Sequence, residues 1–397
     1  MGPRELIPIG EARERVLAEV ERLPLESVTL RDALWRFLAE DVTAEETLPP
    51  FDASAMDGYA VPTAAAERLM ITGESRAGAP SPGELAPGTA IRISTGAVTP
   101  PGTVRVVPVE RAEDRDDATV SVPAGEEGAN VRRAGEDVRP GDRVLEAGTR
   151  IGPAELAVLA SLGHASVRCA RRPQIAVLAT GDELVEPGQP LAAGKIRNSN
   201  AYALMAMALG SGGVHMPDAA VPDNLADTRS ALAAALDAAD VVCVTGGVSV
   251  GRHDHVKEAL DDLGVEERFW GVALQPGKPT WFGVKERRLV FGLPGNPVSA
   301  MVTFQLFVRP ALQALQGGDP YPSRARAVLD VALARRPARE QAVRCRIDER
   351  DDGRHATPTK EQGSHVLTSM LGADALAFVP RGDGDVAAGE QVEIEFL

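Results

Sequence analysis

The sequence predicts a multidomain chain of α/β and β architecture: a central domain with a doubly wound parallel sheet, a β-rich insert domain, a helical linking domain and a C-terminal β-barrel. Three observations carry that prediction. Between residues 171 and 316, short apolar runs such as "QIAVLAT" and "DVVCVT" alternate with helical stretches such as "SNAYALMAMALG" and "LADTRSALAAALDAA", the rhythm of a parallel sheet covered by helices. From 46 to about 140 the texture is short apolar stretches broken by Gly and Pro ("RAGAPSPGELAPGTAIRISTGA"), as in a small β unit. The last eighty or so residues alternate in strand fashion.

In chain order, "EARERVLAEVERL" places Val16, Leu17, Val20 and Leu23 at helical spacing, and "RDALWRFLAEDV" reads as a second helix. "GPAELAVLASLG" reads as a third, with Pro153 in its first turn and Gly163 as its stop. Helical flanks at 1–45 and 140–170 would pack together around the insert at 46–139. In the α/β domain, 171–320, "QIAVLAT" suits a strand buried on both faces. A helix follows, with Ser199 or Asn200 as cap and Gly210 as stop. "GVHMPDAAV", "DVVCVT" and "RLVFGLPG" read as strands, and a long helix starts near Pro297. In 321–397, Val343, Cys345 and Ile347 alternate before an Asp-Asp-Gly turn, as do Val392, Ile394 and Phe396.

Charge sets a constraint. The chain carries 42 basic against 57 acidic residues, net −15, which argues against nucleic-acid or membrane-surface binding. An anionic ligand must then be held by a few placed cations, backbone N–H groups or a metal ion. No uninterrupted apolar stretch reaches the ~20 residues of a membrane span, and "MGPRELIPIGEARER" is no secretory signal. Cys169, Cys243 and Cys345 lie too far apart for a CxxC motif and read as reduced thiols of a cytoplasmic protein.

Three strands of the middle domain end alike, in "LATGDEL", "CVTGGVSVG" and "FGLPGNPVS". Ligands of open parallel sheets bind outside the carboxyl ends of the strands, where glycines admit a ligand to the backbone and helix N-termini suit anions. Gly181, Asp182, Gly246, Gly247, Ser249, Pro294, Gly295 and Asn296 are therefore candidate lining residues of one cleft. Asp182, Glu183 and Asp254 could hold a divalent cation; the alternative is that Asp182 caps the next turn. His253 and His255 lack a third ligand nearby in sequence and read as surface histidines. "QPGKPT" has Pro279 where a P-loop needs Ser or Thr, and "GGVSVG" is not GxGxxG. Lys278 is fixed between prolines and a glycine, as a site cation or a solvated charge. In the insert, Asp57 of "FDASAMDGYA" and Arg132, Arg133, Glu136 and Asp137 of "NVRRAGEDV" read as site residues or as a turn and an ion-pair cluster.

In family order, "SAMDGYA", "TGA" at 95–97, "NVRRAGED", "ATGDEL", "TGGVSVGRHD", "PGKP", "GLPGNPVSA" and "QGSH" resemble the molybdopterin molybdenumtransferases, the MoeA type also found as the E domain of gephyrin. The resemblance implies four domains, the middle one similar to the MogA/MoaB fold, and a homodimer whose cleft joins the middle domain of one subunit to the β domains of the other. It implies insertion of molybdate into adenylylated molybdopterin with loss of AMP, supported by Mg2+, alongside other proteins of cofactor biosynthesis. By matching positions it implies site roles for Asp57, Thr95 and Asp137 in the insert. Glu183, Asp223 and Asp254 would surround pyrophosphate and metal, with Glu183 and Asp254 as metal ligands, and the three loops would line the molybdopterin cleft. Lys278, Pro279, Ser299, Arg344 and Ser364 would hold molybdate, which needs preorganised donors. The sequence departs from the pattern at Gln275, where the family often has lysine, and at Val104, where it commonly has an acidic residue. A degenerate paralogue that binds molybdopterin or a partner protein without turnover is the alternative reading.

Overall fold

The computed structural model describes residues 5–115, 118–216, 219–247, 255–321, 323–359 and 361–397. Its middle region is a seven-stranded sheet in the order Val214–His215, Gln174–Thr180, Val241–Thr245, Arg288–Leu293, Trp281–Lys285, Glu266–Trp270, with Ala219–Val221 also on Gln174–Thr180. Successive side chains of a strand face opposite ways, so each central strand serves two cores. Ile175, Val177, Val241 and Cys243 pack with the helices Ser199–Gly210 and Pro297–Thr303. Ala176, Leu178, Val242 and Val244 pack with Leu225–Ala238 and His255–Asp262 on the other face. The sheet is parallel as far as Arg288–Leu293, but Trp281–Lys285 and Glu266–Trp270 run antiparallel. A hairpin turning at Glu286, φ 54°, builds that edge. The helix after Gln174–Thr180 is capped by Asn198, whose side chain accepts from the Ala201 N–H, rather than by Ser199 or Asn200.

The insert is a six-stranded sheet with a buried layer on each face, Tyr59 and Val61 on one and Ala60 and Ile93 on the other. Its flanks do share a core, Val28, Leu38, Ile151, Leu159 and Val167, but they reach it mostly through strands. Leu25–Thr29 pairs with Ser166–Ala170 and Val42–Thr43 with Arg143–Leu145. "RDALWRFLAEDV" holds no helix, against expectation. Backbone bridges pair Phe37 with Arg150 and Leu38 with Cys169, and the side chains of Phe37, Leu38 and Val42 are buried there. Trp35 adopts φ 64°, and the buried Arg36 donates to Glu26 and to Ala170 O. Tertiary pairing overrides the local period. Pro153–Ser161 is a helix as expected, ended by Gly163 at φ 82°.

The C-terminal strands close a five-stranded barrel: Glu340–Arg350, Gly353–Pro358, Arg324–Leu329, Gln391–Phe396 and Ala375–Val379, which returns to Glu340–Arg350. Val392 and Ile394 face its core, but the alternation breaks at the end: Phe396 is 36% exposed and Glu395 fully buried. The cause is the N-terminal helix Ile9–Leu17, shorter than expected, with Val20 and Leu23 packing beyond it. Its buried Arg13 donates to Glu395 at 2.9 Å and to Leu306 O at 3.0 Å. Leu306 lies in a π-helical turn, Phe304–Val308, inside Pro297–Leu315. That helical run is long and apolar enough to cross a membrane by length and composition, but 78% of it is buried in the protein.

Candidate active site

Outside the carboxyl ends of Gln174–Thr180, Val241–Thr245 and Arg288–Leu293 lies a cleft of about 300 Å3. Thr180, Glu183, Arg197, Asn198, Ser199, Asn200, Thr245, Gly246 and Gly295 line it, and His365 and Leu367 reach it from the C-terminal region. Gly246 and the adjoining Gly247 are there for steric reasons. Gly246 has φ 88° and Gly247 φ 62°, and a Cβ on Gly246 would sit 2.7 Å from Thr180 O. One on Gly247 would sit 2.5 Å from Val256 Cγ2.

Asn200 holds the floor. Its Nδ2 donates to Thr245 Oγ1 and to Gly295 O, both at 2.8 Å, and Thr245 Oγ1 donates to Pro294 O at 3.1 Å. Two strand-end loops are thus fixed to the first turn of one helix. Thr180 is 7% exposed, and its Oγ1 is buried with no hydrogen-bond partner among the described residues. Asp182 and Asp223 lock reciprocally, each carboxylate accepting the other's backbone N–H, at 3.3 and 3.1 Å. Lys195 donates to Asp182 O. Asp182 is thus tied across loops instead of capping its own turn.

A second cluster adjoins the cleft. Asn296 Nδ2 donates to Ser364 Oγ at 3.0 Å, and Ser364 O accepts from the Val298 N–H. Arg344, 1% exposed, donates to Gly363 O at 3.3 Å and to Ser369 Oγ. Burial pushes its guanidinium down to about 10, still cationic at neutral pH, and among the described residues it has only neutral acceptors. Ser299 is buried, and its carbonyl accepts from Thr303 Oγ1 at 2.8 Å. Gly277, φ 125°, lies so close to Thr303 that a Cβ would meet Thr303 Cγ2 at 2.6 Å. The turn carrying the exposed Lys278 and Pro279 is thereby held one helical turn from Ser299. Gln275, in the short strand Leu274–Gln275 that precedes that turn, has its Oε1 buried with no partner among the described residues.

The insert residues form a separate group. Asp57 accepts from Thr95 N at 2.7 Å and from Thr95 Oγ1 at 3.1 Å. Asp52, held below the usual carboxylate range by the Ala134 N–H and then Arg133, ties Arg133 into a surface ion pair. Asp137 bonds through its backbone to Leu48. Among the described residues, no hydrogen bond or ion pair joins Asp57, Thr95 or Asp137 to the cleft. Ser249 and Asp254 lie outside the described residues. No three His, Cys, Asp or Glu side chains converge as a metal site among the described residues. Glu183, Asp182 and Asp223 therefore do not by themselves fit Mg2+.

Sequence reading missed Thr180, Arg197, Asn198, Asn200, Thr245 and His365. A polar residue closing an otherwise apolar strand, as Thr180 and Thr245 do, was the available signal; nothing local distinguishes Arg197.

Comparison with known proteins agrees with this geometry. Family models match in succession: "MoeA N-terminal region (domain I and II)" over residues 7–163, "Probable molybdopterin binding domain" over 176–314 and "MoeA C-terminal region (domain IV)" over 326–397. A molybdopterin molybdenumtransferase of Haemophilus influenzae is 37% identical over 98% of either chain. One of Bacillus subtilis is 36% identical over 98% of this chain and 94% of its own. The crystal structure of a molybdopterin biosynthesis MoeA protein from Pyrococcus horikoshii OT3 superposes with a TM-score of 0.81 at 29% identity, covering 99% of this chain and 100% of that one. The succession of regions and the strand-end cleft define the class as MoeA architecture. The chain belongs to the molybdopterin molybdenumtransferase family.

Proposed function

We propose that the protein inserts molybdate into adenylylated molybdopterin and releases AMP. Water attacks the phosphoanhydride at the molybdopterin-side phosphorus and AMP leaves, while the two dithiolene thiols replace two molybdate oxygens, which take up the thiol protons and two more from solvent and leave as water. The observation that carries this reading is the junction at Asn296 and Ser364, which ties a loop at the strand-end cleft to the segment whose Gly363 carbonyl accepts from the buried Arg344. In that reading the strand-end glycines and Asn200 seat the pterin phosphate, while Lys278, Pro279, Ser299, Arg344 and Ser364 receive the oxyanion. Preorganised donors of this kind cost no reorganisation during reaction.

Mg2+ is proposed as counter-ion to the diphosphate. A homodimer is proposed because Asp57, Thr95 and Asp137 have, among the described residues, no bond to the cleft of their own chain and would act on a second subunit's. The domain division 1–45 with 140–170, 46–139, 171–320 and 321–397 and a cytoplasmic setting belong to the same reading. The non-catalytic alternative is not favoured, since relatives named as transferases match the chain from end to end. The test supplies adenylylated molybdopterin, Mg2+ and molybdate to the purified protein and assays AMP and active cofactor. Binding without turnover would favour the non-catalytic reading, and AMP release indifferent to molybdate would favour a hydrolase.

A further inference from the structure

We propose that Arg197, just before the first turn of the helix Ser199–Gly210, is the cation that receives the diphosphate of the substrate. The inference rests on the reading that this cleft takes a phosphoanhydride, and adds a binding residue that no sequence motif supplied.

Three observations point to it. Among the described cleft-lining side chains, Glu183, Arg197 and His365 are ionisable, and only arginine is always positive. In a chain with 57 acidic against 42 basic residues, guanidinium groups commonly rest on carboxylates, as Arg133 does on Asp52 and Arg171 on Asp240. Arg197 has no carboxylate partner among the described residues; it makes one long donation, 3.4 Å, to Gln189 O. A cation facing a cleft without a counter-ion is set to take an anion from solution.

The helix start adds donors. The first N–H groups of a helix have no acceptor within it, and the N-terminus carries partial positive charge. Asn198 takes up the Ala201 N–H at 3.2 Å, which leaves the amides of the cleft-lining Ser199 and Asn200 without an intrahelical acceptor. The buried, unpartnered Thr180 Oγ1 on the same cleft supplies a hydroxyl with a hydrogen bond to give. A fork-shaped guanidinium, free amides and a hydroxyl are the donor set for adjacent phosphoryl groups.

Inorganic pyrophosphate, titrated calorimetrically into the full-length protein without divalent cations, tests the proposal. Arg197→Gln should weaken binding about tenfold or more, the usual scale for hydrogen bonds to charged groups, and Arg197→Lys should recover part of it. Arg287→Gln is the control: Arg287 is exposed, pairs with Glu21 and sits at the opposite end of the strand Arg288–Leu293, so its removal should leave binding unchanged. In turnover, Arg197→Gln should raise KM for adenylylated molybdopterin while kcat holds. The proposal is overturned if wild type binds no pyrophosphate, if Arg197→Gln titrates like wild type, or if Arg287→Gln loses as much. Wild type that binds pyrophosphate through Arg197 but never transfers molybdate would sink the transferase reading and leave this anion site standing.

Discussion

Gln275 shows how much one side chain can decide. Its amide oxygen is buried without a partner among the described residues, a costly state, in the strand just before the turn that holds Lys278. A unit charge at 4 Å from an anion is worth roughly 4 kcal/mol at an effective dielectric of about 20, before desolvation. Desolvation of the new ammonium offsets most of that, and a net gain of about 1.4 kcal/mol would lower the molybdate concentration needed for half-maximal rate by about tenfold in Gln275→Lys. A half-maximal concentration that does not move would place Gln275 outside the oxyanion pocket. The C-terminal barrel offers a second residue-scale test. His355 lies 2.9 Å from Asp330 and 3.0 Å from Asp352, and Asp330, followed by Asp352, raises the imidazole above its usual value. Protonated His355 then favours the fold. That contribution is full below the unfolded value, about 6.5, and is lost as pH rises through the higher folded value. Asp330 runs the other way. Held far below the carboxylate range by Arg350, Thr357 and His355, it contributes above about pH 4 and loses that contribution on acidification through its folded value. Wild-type melting temperature should thus fall relative to His355→Gln as pH is raised from about 6 to about 9; parallel curves would remove His355 from the balance.

Between elements, the buried pair of Arg13 and Glu395 is the main polar link from the N-terminal helix to the barrel. It also uses the Leu306 carbonyl of the π turn. Removing one partner of a buried pair strands the other, so Arg13→Ala should destabilise by about 3–5 kcal/mol in denaturant unfolding. Arg13→Met with Glu395→Leu should recover most of that, because apolar replacement of both partners is often neutral. A single variant as stable as wild type would show that the pair ties nothing. This pair also explains where strand alternation misled. Val392 and Ile394 were legible as inward residues, but Phe396 was not legible as exposed, because the partner that buries Glu395 lies 382 residues away. The segment 31–42 failed similarly: its apolar spacing suits a helix, yet strands from the far flank claim it.

Across the whole molecule, long periodic elements were readable because one sheet's two faces each leave a mark in the sequence. Two of the three glycine-bearing strand ends were readable because Gly181, Gly246 and Gly247 adopt backbone conformations that L side chains rarely take. Cleft residues such as Asn200 and Arg197 were not, since what distinguishes them is the company of loops distant in sequence. The −15 net charge makes that company necessary: an acidic chain that handles molybdate and diphosphate must gather its few free cations and amides in one place. The most direct measurement is stoichiometry in a single-turnover mixture of protein, adenylylated molybdopterin, Mg2+ and molybdate. The account predicts AMP and inserted molybdenum in equal amounts, with neither formed when molybdate is withheld. AMP released at full rate without molybdate, or no AMP at any molybdate concentration, would contradict it.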